Sequence, residues 1–200
     1  MDEKQILRRR FRKERSEHVA QMHVDTQALI LRRPPAPLLS IIPPKAAIGL
    51  YHATGDEAPA CGYARYFSEA GHALALPHLD QRRGDDSAQV MEFREWTDPW
   101  DNSDLAPGPF GIAQPSGNAA LIEPDVVFLP LVAFTPDGCR LGQGGGFYDR
   151  LLARHPALVA IGLAWDVQCT QSLPMQPHDQ PLDAVVTPTR LYGPFEKRRR

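Results

Sequence analysis

No stretch of this chain approaches the roughly 20 consecutive apolar residues that a membrane-spanning helix requires, and its start carries no apolar leader core. A membrane partner is therefore not expected, and a cytoplasmic location is. Cysteine is scarce: Cys61, Cys139 and Cys169 are three, far apart, with no C-x-x-C pair. That argues against a disulfide framework or a thiolate zinc site and for a reducing compartment. The seven histidines show no H-E-x-x-H or other ligand spacing. His72, His78 and His178 therefore read as structural, and no zinc is expected. A dominant charge is also missing. The net value is -2, whereas nucleic-acid-binding domains are basic as a whole. Proline, by contrast, is plentiful, with 20 residues spread among apolar runs. They imply many loops and sharply ended elements.

What is present alternates short apolar strands with helices. Asp2 to about Ser16 reads as a helix with Asp2 as its cap. Ile6, Leu7 and Phe11 make one stripe, and Lys4, Arg8, Arg12 and Arg15 recur on another face. A second helical stretch is expected from Val19 to Leu31, then a strand over Ala46 to Tyr51. A helix over Ala60 to Ala70 closes at Gly71, followed by a strand at Ala73 to Leu76. Gln81 to Asp86 reads as a charged turn, Met91 to Trp96 as a strand, and Asp98 to Gly117 as loop. Val126 to Leu129 is the clearest buried strand. A helix is expected from Gly146 to Arg154, with strands at Val159 to Leu163 and Ala184 to Thr187. This order predicts a layered α/β domain with a largely parallel sheet. There is no internal repeat or composition break, so residues 1–200 read as one domain. Residues 1–32 form a helical region packing on the α/β core, and 196–200 a basic, solvated tail.

The most informative segment is Arg140-Leu141-Gly142-Gln143-Gly144-Gly145-Gly146-Phe147-Tyr148-Asp149-Arg150. Four glycines in five positions let backbone turn sharply and approach a ligand closely. Exposed N–H groups running into a helix start make an anion site. The segment is neither a Walker loop, lacking Gly-Lys-Ser/Thr, nor a dinucleotide fingerprint, because Phe147 stands at the third glycine position. Glycines alone are equally well explained as a tight connection. Arg140 adds a cation beside them. Asp149, which suits the helix dipole in any case, is also where a magnesium ligand would be useful beside a phosphate.

With these flanks the segment resembles the G-x-G-x-G-Y-Y-D signature of the 5-formyltetrahydrofolate cyclo-ligases. Three further segments agree in order. Lys4-Gln5-Ile6-Leu7-Arg8 is similar to that family's K-x-x-L-R, with Arg15 following. Phe110-Gly111-Ile112-Ala113-Gln114-Pro115 resembles its F-G-I-x-E-P stretch. His178-Asp179-Gln180-Pro181-Leu182-Asp183 before Val185-Val186-Thr187 resembles its H-D-x-P-x-D-x-V-V-T. The resemblance implies a three-layer α/β/α domain. It also implies an enzyme that, with ATP and Mg²⁺, converts 5-formyltetrahydrofolate, in mono- or polyglutamylated form, to 5,10-methenyltetrahydrofolate. A monomer is expected. By carry-over, Lys4, Gln5, Ile6, Leu7 and Arg8, with Arg140, Leu141, Gly142, Gln143, Gly144, Gly145, Gly146, Phe147 and Tyr148, would contact ATP. His52 and Glu57 would contact the folate, together with Gln143, Gly144, Gly145, Gly146 and Phe147, while Asp149 and Asp183 would hold magnesium. Phe147 replaces the family's first tyrosine, and Gly145 a lysine found in some members.

Each assignment has a plainer rival. Charged helix faces are usually solvated, and that remains the reading for Arg9, Arg10 and Lys13. The acidic Asp2, Glu3, Glu14 and Glu17 argue against a transit peptide. Glu57 alone would pass for a turn residue, and Asp183 for a turn cap after Pro181. Phe110, Phe147, Tyr148 and Trp165 are candidate walls for flat rings. Two other classes of function are weighed: a non-catalytic nucleotide- or folate-binding relative, and a nucleic-acid binder using the basic ends. The latter would need stacking aromatics there, and only Phe11 and Tyr192 to Phe195 offer any.

Overall fold

The apolar run at Val126 has no polar face to turn to water, so it can only be an inner strand. In the computed structural model, which describes residues 2–79 and 91–195, it is β6 (Val126–Pro130). Side chains alternate along a strand, and β6 feeds two layers. Val126 and Phe128 join a core with Tyr63, Ala64 and Phe67 of α4 (Cys61–Glu69). Val127 and Leu129 join another with Leu151 and Leu152 of α5 (Phe147–Arg154). Helices thus cover both faces of the sheet.

The other inner strands are β1 (Ile48–Gly49), β2 (Leu74–Leu79), β9 (Val159–Leu163) and β10 (Ala184–Val186). With β3 (Met91–Glu95) and β11 (Leu191–Tyr192) they form a seven-stranded sheet in the order β11-β10-β9-β6-β1-β2-β3. All four inner pairings are parallel, and only the edge strands β3 and β11 run antiparallel. β1 is held closely: a Cβ on Gly49 would lie 2.8 Å from the Phe93 ring and 2.9 Å from Val127. Two small ribbons complete the strands among the described residues, β4 (Leu105–Pro107) with β5 (Ala113–Pro115), and β7 (Ala133–Phe134) with β8 (Arg140–Leu141).

Several local expectations change. The first helix, α1 (Glu3–Ala20), passes the expected end near Ser16, because no glycine or proline interrupts it. Asp2 stands at its N-cap but makes no capping bond through its side chain. The second helix shrinks to α2 (Val24–Leu29), started by His23, whose Nδ1 accepts from the Asp25 N–H at 3.3 Å. A short α3 (Ala36–Leu39) follows with proline in its first turn, where a missing N–H is harmless. Within the stretch read as loop, β4 and β5 pair antiparallel, and the Gln114 side chain docks the ribbon on β2 by both accepting from and donating to the Leu79 backbone. Ile6 leaves the expected apolar stripe and is 50 % exposed, while Phe11 is buried. The expected charged turn at Gln81 to Asp86 and the basic tail at 196–200 lie outside the described residues.

Candidate functional site

In open α/β sheets, ligands bind beyond the carboxyl ends of the parallel strands. At that edge β1 continues through buried Leu50 and Tyr51 to half-buried His52, then into the turn Thr54-Gly55-Asp56-Glu57. Gly55 takes φ +58° there. The turn closes on itself: Glu57 Oε2 accepts from the Thr54 N–H at 3.1 Å and from its hydroxyl at 3.3 Å. Its other oxygen accepts from Gln143 Nε2 at 3.1 Å. One carboxylate therefore joins the β1 turn to the glycine loop.

Helix α1 lies across both, and its basic stripe explains how. Lys4, Arg8, Arg12 and Arg15 share a face by helical spacing, and together they close on three segments. Lys4 Nζ is 2.6 Å from Asp179 Oδ2 and 3.2 Å from Gln176 Oε1. Arg8 Nε donates to the Gly142 carbonyl at 2.8 Å. Arg12 donates to Gln143 Oε1 at 2.6 Å, which links it through Gln143 to Glu57. Arg15, buried, donates to Asp56 Oδ1 at 2.8 Å. Gln5 and Ile6 face outward and Leu7 is half-buried. On the outer face, Arg10 pairs with Glu14 and Lys13 with Glu17, four residues on, as solvated ion pairs.

The glycine loop runs from Gly142 to Gly146 between β8 and α5. Gly144 (φ +111°) and Gly146 (φ +66°) occupy the left-handed region, which only glycine enters cheaply. The Arg8 guanidinium packs beside Gly144, 3.5 Å from where a Cβ would stand. A Cβ on Gly145 would meet the Phe147 ring at 2.9 Å. That ring also carries the Arg150 guanidinium 4.9 Å from its centroid.

Arg140 precedes the loop, nearly buried, donating to Asp149 Oδ1 at 2.7 Å and to the Gln180 carbonyl. Burial pulls its pKa below the ordinary guanidinium value, and the nearby Asp149 and Asp179 carboxylates oppose that. Tyr148 is pushed up, first by burial and then by Glu57, with Arg140 opposing, so it remains a neutral phenol. Tyr51 is likewise raised by burial, Glu57 and Tyr148. Two phenols and one carboxylate thus share a partly desolvated corner.

The two aspartates expected to share magnesium have separate partners. Asp149 Oδ1 accepts from Arg140 and from the Gln180 N–H at 3.1 Å, in the first turn of α5. Asp183 Oδ2 accepts from the Ala160 N–H at 2.8 Å, at the start of β9 and on the opposite edge of the sheet, toward which α5 runs. Magnesium takes oxygen ligands, normally one or two carboxylates with phosphates. Asp149 suits it: the side chain is 27 % exposed, and its Oδ2 has no hydrogen-bond partner among the described residues. Asp183 is occupied as a strand cap instead. The aromatic walls also divide. Tyr148 and Phe147 lie at the loop, but Trp165 is 2 % exposed behind the turn, donating Nε1–H to the Asp56 carbonyl at 2.8 Å. Phe110 projects from the β4–β5 ribbon, 72 % exposed, at φ +59°.

The sequence reading gave no task to Arg12, Arg15, Asp56, Asp179 or Gln180. The first two were visible in the periodicity of the basic stripe. Asp179 sat inside a quoted motif.

Fold and site together define an α/β protein whose basic first helix, glycine-rich loop and carboxylate-bearing turn meet at the carboxyl edge of a parallel sheet. The model of the 5-formyltetrahydrofolate cyclo-ligase family matches residues 1–188, and the chain belongs to that family. It is 49 % identical over 70 residues to the 5-formyltetrahydrofolate cyclo-ligase of Escherichia coli (strain K12), a stretch spanning 34 % of this chain and 38 % of that protein. With the probable cyclo-ligase of Schizosaccharomyces pombe it shares 31 % identity over 99 residues, 41 % of this chain and 48 % of the other. The solved structure of 5,10-methenyltetrahydrofolate synthetase from Aquifex aeolicus superposes with a TM-score of 0.72 at 26 % identity, covering 98 % of this chain and 94 % of its own.

Proposed function

We propose that this chain catalyses the ATP- and magnesium-dependent cyclisation of 5-formyltetrahydrofolate to 5,10-methenyltetrahydrofolate, releasing ADP and phosphate. The observation that carries the reading is the bond chain Arg12–Gln143–Glu57, which assembles the basic helix, the glycine loop and the β1 turn into one rim. Family membership and the named relatives support it.

An N-formyl group is a poor electrophile with a poor leaving oxygen. In the proposed reaction the formyl oxygen bonds to the γ-phosphorus of ATP while the bridging oxygen departs with ADP. N10 then bonds to the formyl carbon and loses its proton, and the carbon–oxygen bond to phosphate breaks as the ring closes. No protein nucleophile is needed. Positioning and charge stabilisation are what the protein must supply.

The phosphates would lie on the backbone N–H groups of Gly142 to Gly146. Arg8 suits them as a cation, since among the described residues only its Nε is engaged. Arg140 would add fixed charge from behind the loop. Lys4 would act at the edge, sharing its ammonium with Asp179. The Gln5, Ile6 and Leu7 segment would border the nucleotide. Bound magnesium would neutralise phosphate charge, held by Asp149. Glu57 and His52 would orient the pterin end, with Tyr148 and Phe147 excluding water from the activated formyl carbon.

We also read the protein as a cytoplasmic monomer acting on mono- or polyglutamylated folate. The free, scattered cysteines support the reducing compartment. The product has a near-ultraviolet band that the substrate lacks. Purified protein should generate that band only with both ATP and Mg²⁺ present, and its absence under those conditions overturns the proposal.

A further inference from the structure

Arg15 does not touch the positions assigned to either substrate, yet it is among the most buried charges in the molecule, 6 % exposed. It donates to Asp56 Oδ1 at 2.8 Å and to the Leu131 carbonyl at 3.4 Å, where the chain leaves β6. Asp56 is fixed a second time through its carbonyl, which accepts from Trp165 Nε1–H at 2.8 Å. The next residue is Glu57. Its own bonds to Thr54 are internal to the turn and set its shape. They do not set where the turn stands relative to β6 and α1. Gln143 ties the Glu57 carboxylate to the glycine loop and Arg12, and Arg15 and Trp165 fix the residue before it.

A buried ion pair is a poor source of stability, because desolvating two charges offsets their attraction, and apolar pairs of similar volume often do as well. Arg15 even carries a buried Nε with no hydrogen-bond partner among the described residues. What such a pair supplies well is a fixed geometry. Here it ties the fourth turn of α1 to the residue preceding a carboxylate that must meet its ligand within about half an ångström.

We propose that Arg15, acting through Asp56, is a positioning residue for the folate-binding carboxylate of Glu57. This deepens the cyclo-ligase reading and rests on it. The pair fixes where Glu57 points without contacting either substrate, so it bears on one substrate and not on the other.

The test measures apparent Michaelis constants for each substrate, the other saturating, in wild type, Asp56→Asn, Arg15→Ala, Arg15→Lys and Glu57→Gln. Asp56→Asn keeps an oxygen for the guanidinium and removes the charge, so it carries the test if Arg15→Ala fails to fold. The expected result for Asp56→Asn and Arg15→Ala is a folate constant raised by about tenfold with the ATP constant within about twofold. Arg15→Lys should recover part of the loss. A role confined to stability would lower the melting temperature and leave the ratio of the two constants unmoved, which overturns the proposal. If Glu57→Gln raises the folate constant but Asp56→Asn does not, the positioning role fails and the reading of Glu57 stands. A flat Glu57→Gln removes both.

Discussion

Lys4 and Asp179 stand 175 positions apart in the chain, yet their charged atoms are 2.6 Å apart, with both side chains about nine-tenths buried. The pair fastens the first turn of α1 to the segment before β10. Burial by itself would raise the Asp179 pKa. The Lys4 ammonium and the Gln176 N–H outweigh it and hold the carboxyl below its ordinary value. A depressed folded-state value contributes stability above the unfolded value of about 3.9, lost as pH falls through the folded one. The acid limb of the stability curve, below about pH 4, should therefore be shallower in Asp179→Asn than in wild type. Urea unfolding between about pH 3 and 6 checks this. Parallel limbs would show that the pair contributes nothing to acid stability.

The pairs Lys4/Arg8 and Arg9/Lys13 should behave differently if the proposed nucleotide contacts of the first pair hold. Arg8→Ala should raise the Michaelis constant for ATP by roughly tenfold, matching a charge-assisted bond worth about 1–3 kcal/mol. Lys4→Ala should do likewise and also lower the melting temperature, because Asp179 would be left buried without its cation. Arg9→Ala/Lys13→Ala should cost less than about 0.5 kcal/mol and leave kinetics near wild type. Equal effects of both pairs would point to a diffuse field.

Gly144→Val should weaken ATP binding with little loss of fold. At φ +111° a β-branched residue is strained by about 1–3 kcal/mol, and its side chain would press on the Arg8 guanidinium. Gly145→Val has no φ penalty but would displace the Phe147 ring. Calorimetric titration with ATP reads both, and unchanged affinity would reduce these glycines to turn formers.

Asp149→Asn should cut turnover and shift the magnesium requirement upward, since it weakens a hard oxygen ligand. Asp183→Asn should instead lower the melting temperature while leaving the magnesium curve near wild type, because its carboxylate caps the Ala160 N–H. Magnesium titration of both variants decides it. A shift in both would restore the two-carboxylate site.

What could be read from the chain alone was whatever depends on local pattern. β6 was legible because a strand buried on both faces is uniformly apolar. The glycine loop was legible because its residue types have few other uses, and the Lys4-to-Arg15 stripe because helical spacing exposes it. The β4–β5 ribbon was not, because its proline- and glycine-rich segments show no alternation and the ribbon is docked by Gln114 reaching Leu79, 35 positions earlier. Trp165 could be named as an aromatic near the site, but which way its ring faces depends on Asp56, 109 positions earlier. Asp183 matched a motif, yet its partner lies on a neighbouring strand.

Helix α1 also acts as a ruler. Lys4 and Arg15 are eleven residues apart, about 16 Å along a rigid helix at 1.5 Å per residue. One end is bound to Asp179 and the other to Asp56, beside Glu57, so in the proposed reaction the separation of the two substrates would be written into helical rise. A single residue inserted between Arg8 and Arg12 would add little length but rotate the far end by about 100 degrees. Arg12 and Arg15 would then face solvent while Lys4 and Arg8 kept their places, and the alignment that the proposed reaction needs would be lost.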